Sequence, residues 1–466
     1  MTTPTNSSQA GLRPDLKNRH VTMIAMGGII GAGLFVGSGA VLSSTGPSSF
    51  LTYFLSGLIV VCAMRMLGEM AVAHPSTGSF VEYSRKALGD WAGFSSGWLY
   101  WYVWVIVVGF EAVAGAGILQ YWIDLPLWVL SLILLAGLTL SNLTSVRSFG
   151  EFEFWFAGIK VVAILAFIAL GAAFVLGLWP GRSLDFGNLT AHGGFFPNGP
   201  QAMLSTVVVV MFAMMGPEIA TIAAAESKDP ARSVSKATNS VILRIITFYV
   251  GSVFLLAVIV PWSSVKSGQS PFVAAMNVMG IPGADSVMNG LILVAVLSCL
   301  NSAIFTASRM LFVLAGKNEA PAALVKVNKR GVPAPAILAS TLVGFLSVIA
   351  AAVSPDTVFL FLLNSSGALI LFVYLLMCVS QIVLRMRNPK ADLPLRMWLF
   401  PWLSLLTTAA IVAVLVLLGV REDTRSQLWL GLGTWALTLV VFGIRRVRTS
   451  RAGRPVGARQ DELAGS

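Results

Sequence analysis

Charge is what this chain has least of. Asp, Glu, Lys and Arg make up 11% of its 466 residues, against about 25% in a soluble globular domain. That shortage excludes an ordinary water-soluble enzyme. Histidine and cysteine number three each, and Cys62, Cys299 and Cys378 all lie inside apolar runs. Their odd count and setting argue against a disulfide framework and against a thiolate metal site. No apolar run carries a metal-ligand cluster or a nucleophile–base pair, so no cofactor or metal is expected and an enzyme is the least expected class. The apolar/polar alternation of a membrane barrel is also missing. Residues 1–20 hold no apolar core and read as a polar tail, not a signal peptide.

What is present is apolar: 56% of the chain. Long apolar runs fall near 21–42, 50–72, 92–119, 126–144, 154–178, 201–224, 240–261, 286–313, 334–353, 357–384, 397–419 and 427–444. Each is long enough to cross about 30 Å of hydrocarbon as a helix. Lipid leaves backbone groups no partner outside the segment, so helices are required. The expectation is an all-α polytopic membrane protein with 12 transmembrane helices. With the N-terminus inside, 27 of the 31 Lys and Arg fall on the inner side and only Arg182, Lys266, Arg421 and Arg425 outside. This places both termini in the cytoplasm. It also removes nucleic acid as a partner, because the basic residues are scattered over seven short segments. Trp and Tyr at the span ends, Trp98 to Trp104 among them, read as an aromatic belt facing lipid headgroups.

Two spans are interrupted. Span 1 carries Gly27-Gly28-Ile29-Ile30-Gly31-Ala32-Gly33, where four glycines each cost about 1 kcal/mol relative to alanine in a helix. Span 6 carries Phe212-Ala213-Met214-Met215-Gly216-Pro217-Glu218. Pro217 has no N–H, so the carbonyl of Ala213 loses its helical partner. Spans 1 and 6 each lead a consecutive set of five, and an odd number per set turns the second set upside down. Paired interruptions in inverted repeats point to a midplane binding site. Half-helix N-termini there suit an anion and unwound carbonyls suit a cation, so a small zwitterion matches both surfaces. For span 1 alone, close helix packing through Gly27-x-x-x-Gly31 explains the glycines equally well.

Glu111 is the only charge between Trp98 and Leu119, Lys160 the only one between Phe154 and Leu178, and Glu218 the only one between residues 200 and 225. A charge at that depth costs at least about 2.5–3.5 kcal/mol, so each should face the bundle interior. Glu218, directly after the Gly-Pro break, suits a carboxyl that takes and gives a proton. The alternative for Glu218 and Glu111 is a structural, hydrogen-bonded carboxyl. Lys160 either snorkels to the headgroups or stands as a positive charge where sodium would otherwise sit, which favours proton coupling. In span 8, Ser298, Asn301, Ser302 and Ser308 share roughly one face and either line a pathway or bond a neighbouring helix. Cys299 there reads as a small buried residue.

Several motifs resemble those of a known family. Ser44-Thr45-Gly46-Pro47 and Arg65-Met66-Leu67-Gly68-Glu69-Met70-Ala71-Val72 resemble the amino acid permease pattern of the amino acid–polyamine–organocation superfamily. Pro75-x-Thr77-Gly78-Ser79-Phe80, Gly150-Glu151-Phe152-Glu153-Phe154-Trp155 and Ala225-Glu226-Ser227-x-Asp229-Pro230 resemble its bacterial branch. The sequences around Gly97 to Trp101, Ser298 to Ala303 and Leu395 to Leu399 are most similar to gamma-aminobutyrate permeases. The resemblance implies two inverted five-helix repeats (about 21–178 and 200–385) with discontinuous helices 1 and 6, two further helices over 386–445, and a basic cytoplasmic tail over 446–466. It implies import of an amino acid with a proton across the cell membrane. Amides near Gly31, Ala32 and Gly33 would hold the substrate carboxylate, and carbonyls near Ile29 and from Phe212 to Met215, Ala213 included, its ammonium. Phe212 takes the aromatic gate position, Glu218 that of the broken-helix carboxylate, and Lys160 that of the family's cation-site lysine. Ser298, Cys299 and Asn301 are the span 8 candidates, with Glu111 a further coupling or gating candidate. Pro217 departs from the small residue expected there. An amino acid/amine antiporter, an importer of another small neutral amino acid and a non-transporting sensor are the rival readings.

Overall fold

The computed structural model describes residues 30–74, 79–144, 146–219, 221, 230–266, 269–328, 330–389, 393–422 and 424–451. The expected site residue Ile29, with Gly27 and Gly28, lies outside them. So do the motif residues 75–78 and 225–229, the N-terminal tail, and the C-terminal tail beyond residue 451. Among the described residues there is no strand. Eleven helical stretches are long and apolar enough to cross a membrane.

The helices follow the apolar runs closely. They are α1 (Ala32–Phe35), α2 (Gly37–Thr45), α3 (Ser49–Ala73), α4 (Ser79–Leu88), α5 (Asp90–Leu119), α6 (Leu127–Thr144), α7 (Val146–Val175) and α8 (Gln201–Ala213). After the second break come α9 (Pro230–Arg244), α10 (Ser252–Ile259), α11 (Pro271–Val278), α12 (Ala284–Gly316), α13 (Ala334–Ala351), α14 (Pro355–Arg387), α15 (Trp402–Val420) and α16 (Arg425–Arg451). The first apolar stretch, Ala32–Ala73, is not one rod. A tight turn over Gly46–Ser48 divides it, with Gly46 at φ 63° and the ring of Pro197 lying where a Cβ on Gly46 would project. A side chain at Gly46 would be strained and would collide.

Three features depart from the sequence reading. Helix α4 was not foreseen: it is a short amphipathic helix whose Phe80, Val81, Tyr83 and Ala87 are buried. Its Arg85 donates from Nη1 to Asp90 at 3.0 Å and from Nη2 to Glu319 at 2.7 Å, tying α4 to the start of α5 and the end of α12. Helix α11 lies within the segment 262–285 that reads as loop, opened by Pro271 at its first turn, a position where proline costs a helix nothing. Between α9 and α10 the chain runs through a π-helical turn, Ile245–Gly251, of the kind that shifts side-chain register inside a helix.

Helices α5 and α8 form the centre of the bundle. The apolar windows of Asp90–Leu119 and Gln201–Ile219 are each 83% buried, against 28% for α6 and 6% for Arg425–Arg448. On the outside, Trp155, Val162, Leu342, Ile349, Leu406 and Leu437 are more than half exposed. An apolar surface that extensive is what a lipid-facing bundle presents and a water-soluble one avoids. The chain is therefore a multi-pass membrane protein.

Candidate functional site

The second break falls where Gly216 and Pro217 place it. Helix α8 ends at Ala213, Met214 and Met215 leave the helical path, and Gly216 takes φ 115°. That dihedral is strained for any residue with a Cβ, so Gly216 sets the turn. Glu218 then folds back on it. The Gly216 amide donates to Glu218 Oε2 at 3.0 Å. Tyr374 on α14 donates to Oε2 and Tyr100 on α5 to Oε1, each at 3.2 Å. The carboxylate thus joins the break to two neighbouring helices, and it is 1% exposed. The carbonyl of Ala213, deprived of a helical donor by Pro217, accepts from the Tyr249 hydroxyl at 2.7 Å. Tyr249 sits in the π-helical turn and stacks on Tyr53. An unsatisfied buried carbonyl costs about 1–3 kcal/mol, which explains why a tyrosine is held there.

At the first break the described chain begins at Ile30. Gly31 is extended, with φ −136° and ψ −158°, and the helix starts at Ala32. The Ala32 amide donates to both carboxylate oxygens of Glu111, at 3.2 Å each. A Cβ on Gly31 would lie 2.7 Å from Glu111 Oε1 and 2.8 Å from Cys299 Sγ. A Cβ on Gly33 would lie 2.9 Å from the Cα of Ala213 and 3.2 Å from Phe212 Cε1. Only glycine lets the two broken spans approach so closely, and the two breaks meet through this contact.

Between them is a cavity of about 20 Å³, lined by Gly31, Gly33, Trp104, Val107, Glu111, Phe212, Ala213, Met215 and Cys299. That volume holds about one water. Phe212 meets Phe110 edge-on at 4.9 Å, and Phe110 in turn meets Phe359 at 5.1 Å, so the aromatic side of the cavity is closed by packing across three helices.

Below the cavity lies a second polar group. Lys160 is fully buried and does not snorkel. Its Nζ donates to Ser298 Oγ at 2.8 Å, and Ser298 Oγ donates to Glu153 Oε1 at 2.7 Å. Lys160 Nζ is 3.8 Å from the same Glu153 oxygen, and both side chains are inaccessible to solvent. Asn301 accepts from Asn142 Nδ2 at 2.7 Å, joining α12 to α6. Ser298 and Asn301 are thus engaged with neighbouring helices, and neither lines the cavity.

This geometry has close relatives in sequence. A family model described as amino acid permease matches residues 20–446. The chain belongs to the amino acid permease family. It is 51% identical to a gamma-aminobutyric acid permease of Bacillus subtilis, over 98% of this chain and 99% of that protein. It is 48% identical to a probable GABA permease of Pseudomonas aeruginosa, over 91% and 90%. With a gamma-aminobutyric acid permease of Escherichia coli it shares 47% identity over 87% and 88%. The family is one of transporters, and this permease is not an enzyme.

Seven of the thirteen residues singled out in the permease's sequence line the cavity: Gly31, Gly33, Glu111, Phe212, Ala213, Met215 and Cys299. Ala32 contributes its amide to Glu111, while Glu218, Lys160, Ser298 and Asn301 stand behind the lining and Ile29 is not described. Trp104 corrects the belt reading: it is 1% exposed, lines the cavity, and its Nε1 has no hydrogen-bond partner. Tyr100, Tyr249, Tyr374 and Glu153 were missed. Tyr249 and Tyr374 stand in no quoted motif, while Tyr100 and Glu153 lie in family-like stretches that do not say what each touches; Glu153 carried the further signal of standing one helical heptad before Lys160.

Proposed function

We propose that this permease imports gamma-aminobutyrate together with a proton by alternating access around the cavity between the two breaks. The observation that carries the reading is the close approach of Gly33 to Ala213, which brings a helix start capped by Glu111 and an interrupted run of carbonyls to one small space. The choice of substrate rests on relatives named as gamma-aminobutyric acid permeases at 51% and 47% identity. In this reading the chain crosses the membrane twelve times with both termini in the cytoplasm. Two inverted sets of five helices, about 21–178 and 200–385, carry transport, and two further helices follow.

The substrate carboxylate takes the amides of Gly31, Ala32 and Gly33, and its ammonium faces the carbonyls at Ile29 and from Phe212 to Met215. Because Glu111 already holds the Ala32 amide, the incoming carboxylate must displace it. Two carboxylates cannot share one donor while both are charged, so displacement favours a protonated Glu111 and links substrate binding to proton uptake. The cavity holds about one water, so the lining must part to admit an amino acid, and Phe212 is the side chain placed to gate it. Glu218 and Lys160 complete the coupling machinery.

Uptake of labelled gamma-aminobutyrate into proteoliposomes tests the reading. An inward proton gradient is expected to drive accumulation into empty vesicles, with beta-alanine competing better than alanine, proline or lysine. Uptake that requires a preloaded amine and ignores the gradient would make the protein an exchanger. Binding without any flux would leave a sensor.

A further inference from the structure

The buried group formed by Lys160, Ser298 and Glu153 is not part of the cavity, yet Ser298 stands next to the lining residue Cys299 on α12. Glu111 lines the cavity and lies within electrostatic reach of Lys160. From Lys160 the polar path leads away, through the Ser298 hydroxyl to Glu153, in two hydrogen bonds of 2.8 and 2.7 Å. All three side chains are inaccessible to solvent.

Three observations go beyond a simple buried ion pair. First, the hydroxyl between the charges is oriented: it accepts from the ammonium and donates to the carboxylate. Second, the direct Lys160–Glu153 separation is 3.8 Å, longer than a charge-assisted hydrogen bond of about 2.7–2.9 Å, so the short route runs through Ser298. Third, Glu153 Oε2 is buried without a hydrogen-bond partner. A buried charge pair left partly unsatisfied is poorly explained as a stabilising device, because replacing it by apolar residues would commonly cost nothing. Direction follows from helix geometry. Glu153 precedes Lys160 by seven residues on α7, about 10 Å along the axis, and the lysine reaches back toward the start of its helix, as helical side chains do.

We propose that Glu153 is the proton acceptor on the cytoplasmic side of the transport cycle, reached from Lys160 through Ser298. The proposal rests on the proton-symport reading above. In the transfer an N–H bond of the Lys160 ammonium breaks as an O–H bond forms at Ser298. The original Ser298 O–H bond breaks as one forms at Glu153 Oε1. The charged pair becomes a neutral amine and a neutral acid, with Ser298 restored and no other reactant required. Glu153 gives its proton to water when the inner side opens, and Lys160 is recharged from the cavity side. Because Glu153 is sealed in the present state, the path does not leak. Glu153 and Ser298 are positioning and relay residues; neither touches the substrate.

The test compares gradient-driven accumulation of labelled gamma-aminobutyrate with its counterflow exchange in the same proteoliposomes, since exchange needs no net proton release. In Glu153→Gln and in Ser298→Ala the ratio of accumulation to exchange is expected to fall about tenfold or more. Ser298→Thr, which keeps the hydroxyl, should hold the ratio within about twofold of the parent. A parental ratio in Ser298→Ala, or equal losses in Ser298→Ala and Ser298→Thr, would overturn the relay. Should Glu153→Gln not fold, the two Ser298 variants decide alone. Parent vesicles that ignore the proton gradient overturn the symport reading and the relay with it. Parent vesicles that respond to the gradient, with all variants responding alike, overturn the relay only.

Discussion

At the second break Glu218 ties the Gly216 amide to Tyr100 and Tyr374, and Tyr249 ties down the Ala213 carbonyl. At the first, the amide of Ala32 meets one carboxylate, that of Glu111 on the neighbouring α5. One interruption is clamped by four side chains from four helical segments. At the other, among the described residues, one side chain caps the helix start, through two hydrogen bonds of the kind a ligand carboxylate would make under the proposed reading. The contrast teaches that helix breaks are not equivalent because both are breaks. Under the proposed reading the clamped one would serve as an anchor, whereas the one capped by Glu111 would exchange its partner.

The comparison is open to attack at the anchor, and the largest effect is expected there. Glu218→Gln replaces an oxygen that accepts from Gly216 and Tyr374, or one that accepts from Tyr100, by an NH2 group. Leaving a buried donor unpaired costs about 1–3 kcal/mol, and the variant cannot exchange a proton. Gradient-driven accumulation should drop by about tenfold or more, with substrate binding measured at equilibrium much less affected. Unchanged accumulation would leave Glu218 as a clamp without a coupling role. Gly33→Ala comes next. Its Cβ would press on the backbone of Ala213, an overpacking of about 1–3 kcal/mol, and should lower both uptake and thermal stability. Gly31→Ala should be milder, because its Cβ meets side-chain atoms, Glu111 Oε1 and the Cβ and Sγ of Cys299, and no backbone atom among its nearest neighbours. If the two alanine variants behaved alike, the contact between breaks would not be rigid.

Tyr249→Phe tests the clamp with less disturbance. It removes one donor from the Ala213 carbonyl and should cost about 1 kcal/mol of stability, seen as a lower melting temperature of the detergent-purified protein with a several-fold weaker apparent affinity. The smallest effect is expected from Pro217→Ala. Gly216 at φ 115° already turns the chain and Tyr249 already holds the freed carbonyl, so uptake should stay within about twofold of the parent. A large loss would show that proline, not glycine, makes the break.

Much of the framework was legible in advance. Among the described residues most of each long apolar run is helical, because hydrocarbon thickness and backbone hydrogen bonding act locally. Spans 154–178 and 240–261 differ more, since α7 already begins at Val146 and α9 at Pro230. The Gly216-Pro217 pair announced the break in span 6 for the same local reason, and the glycines of span 1 stand where the described helix begins, at Ala32. Helix α4 was hidden because its apolar face is only ten residues long. Trp104 was misread because position near a span end says nothing about which way an indole faces.

Composition and pattern by themselves determined that this chain lives in a membrane, that helices cross it, where the sixth apolar run is interrupted, and that Glu111, Lys160 and Glu218 lie inside. These are consequences of each segment's own solvation and backbone geometry. Tertiary structure alone decided who meets whom. Glu111 on α5 caps a helix 79 residues away, Tyr374 reaches Glu218 across 156 residues, and Ser298 joins Lys160 to Glu153 across 145. Such partners are selected by the packing of helices remote in sequence, and a polar side chain in an apolar run reveals that it needs a partner without revealing which one it will find.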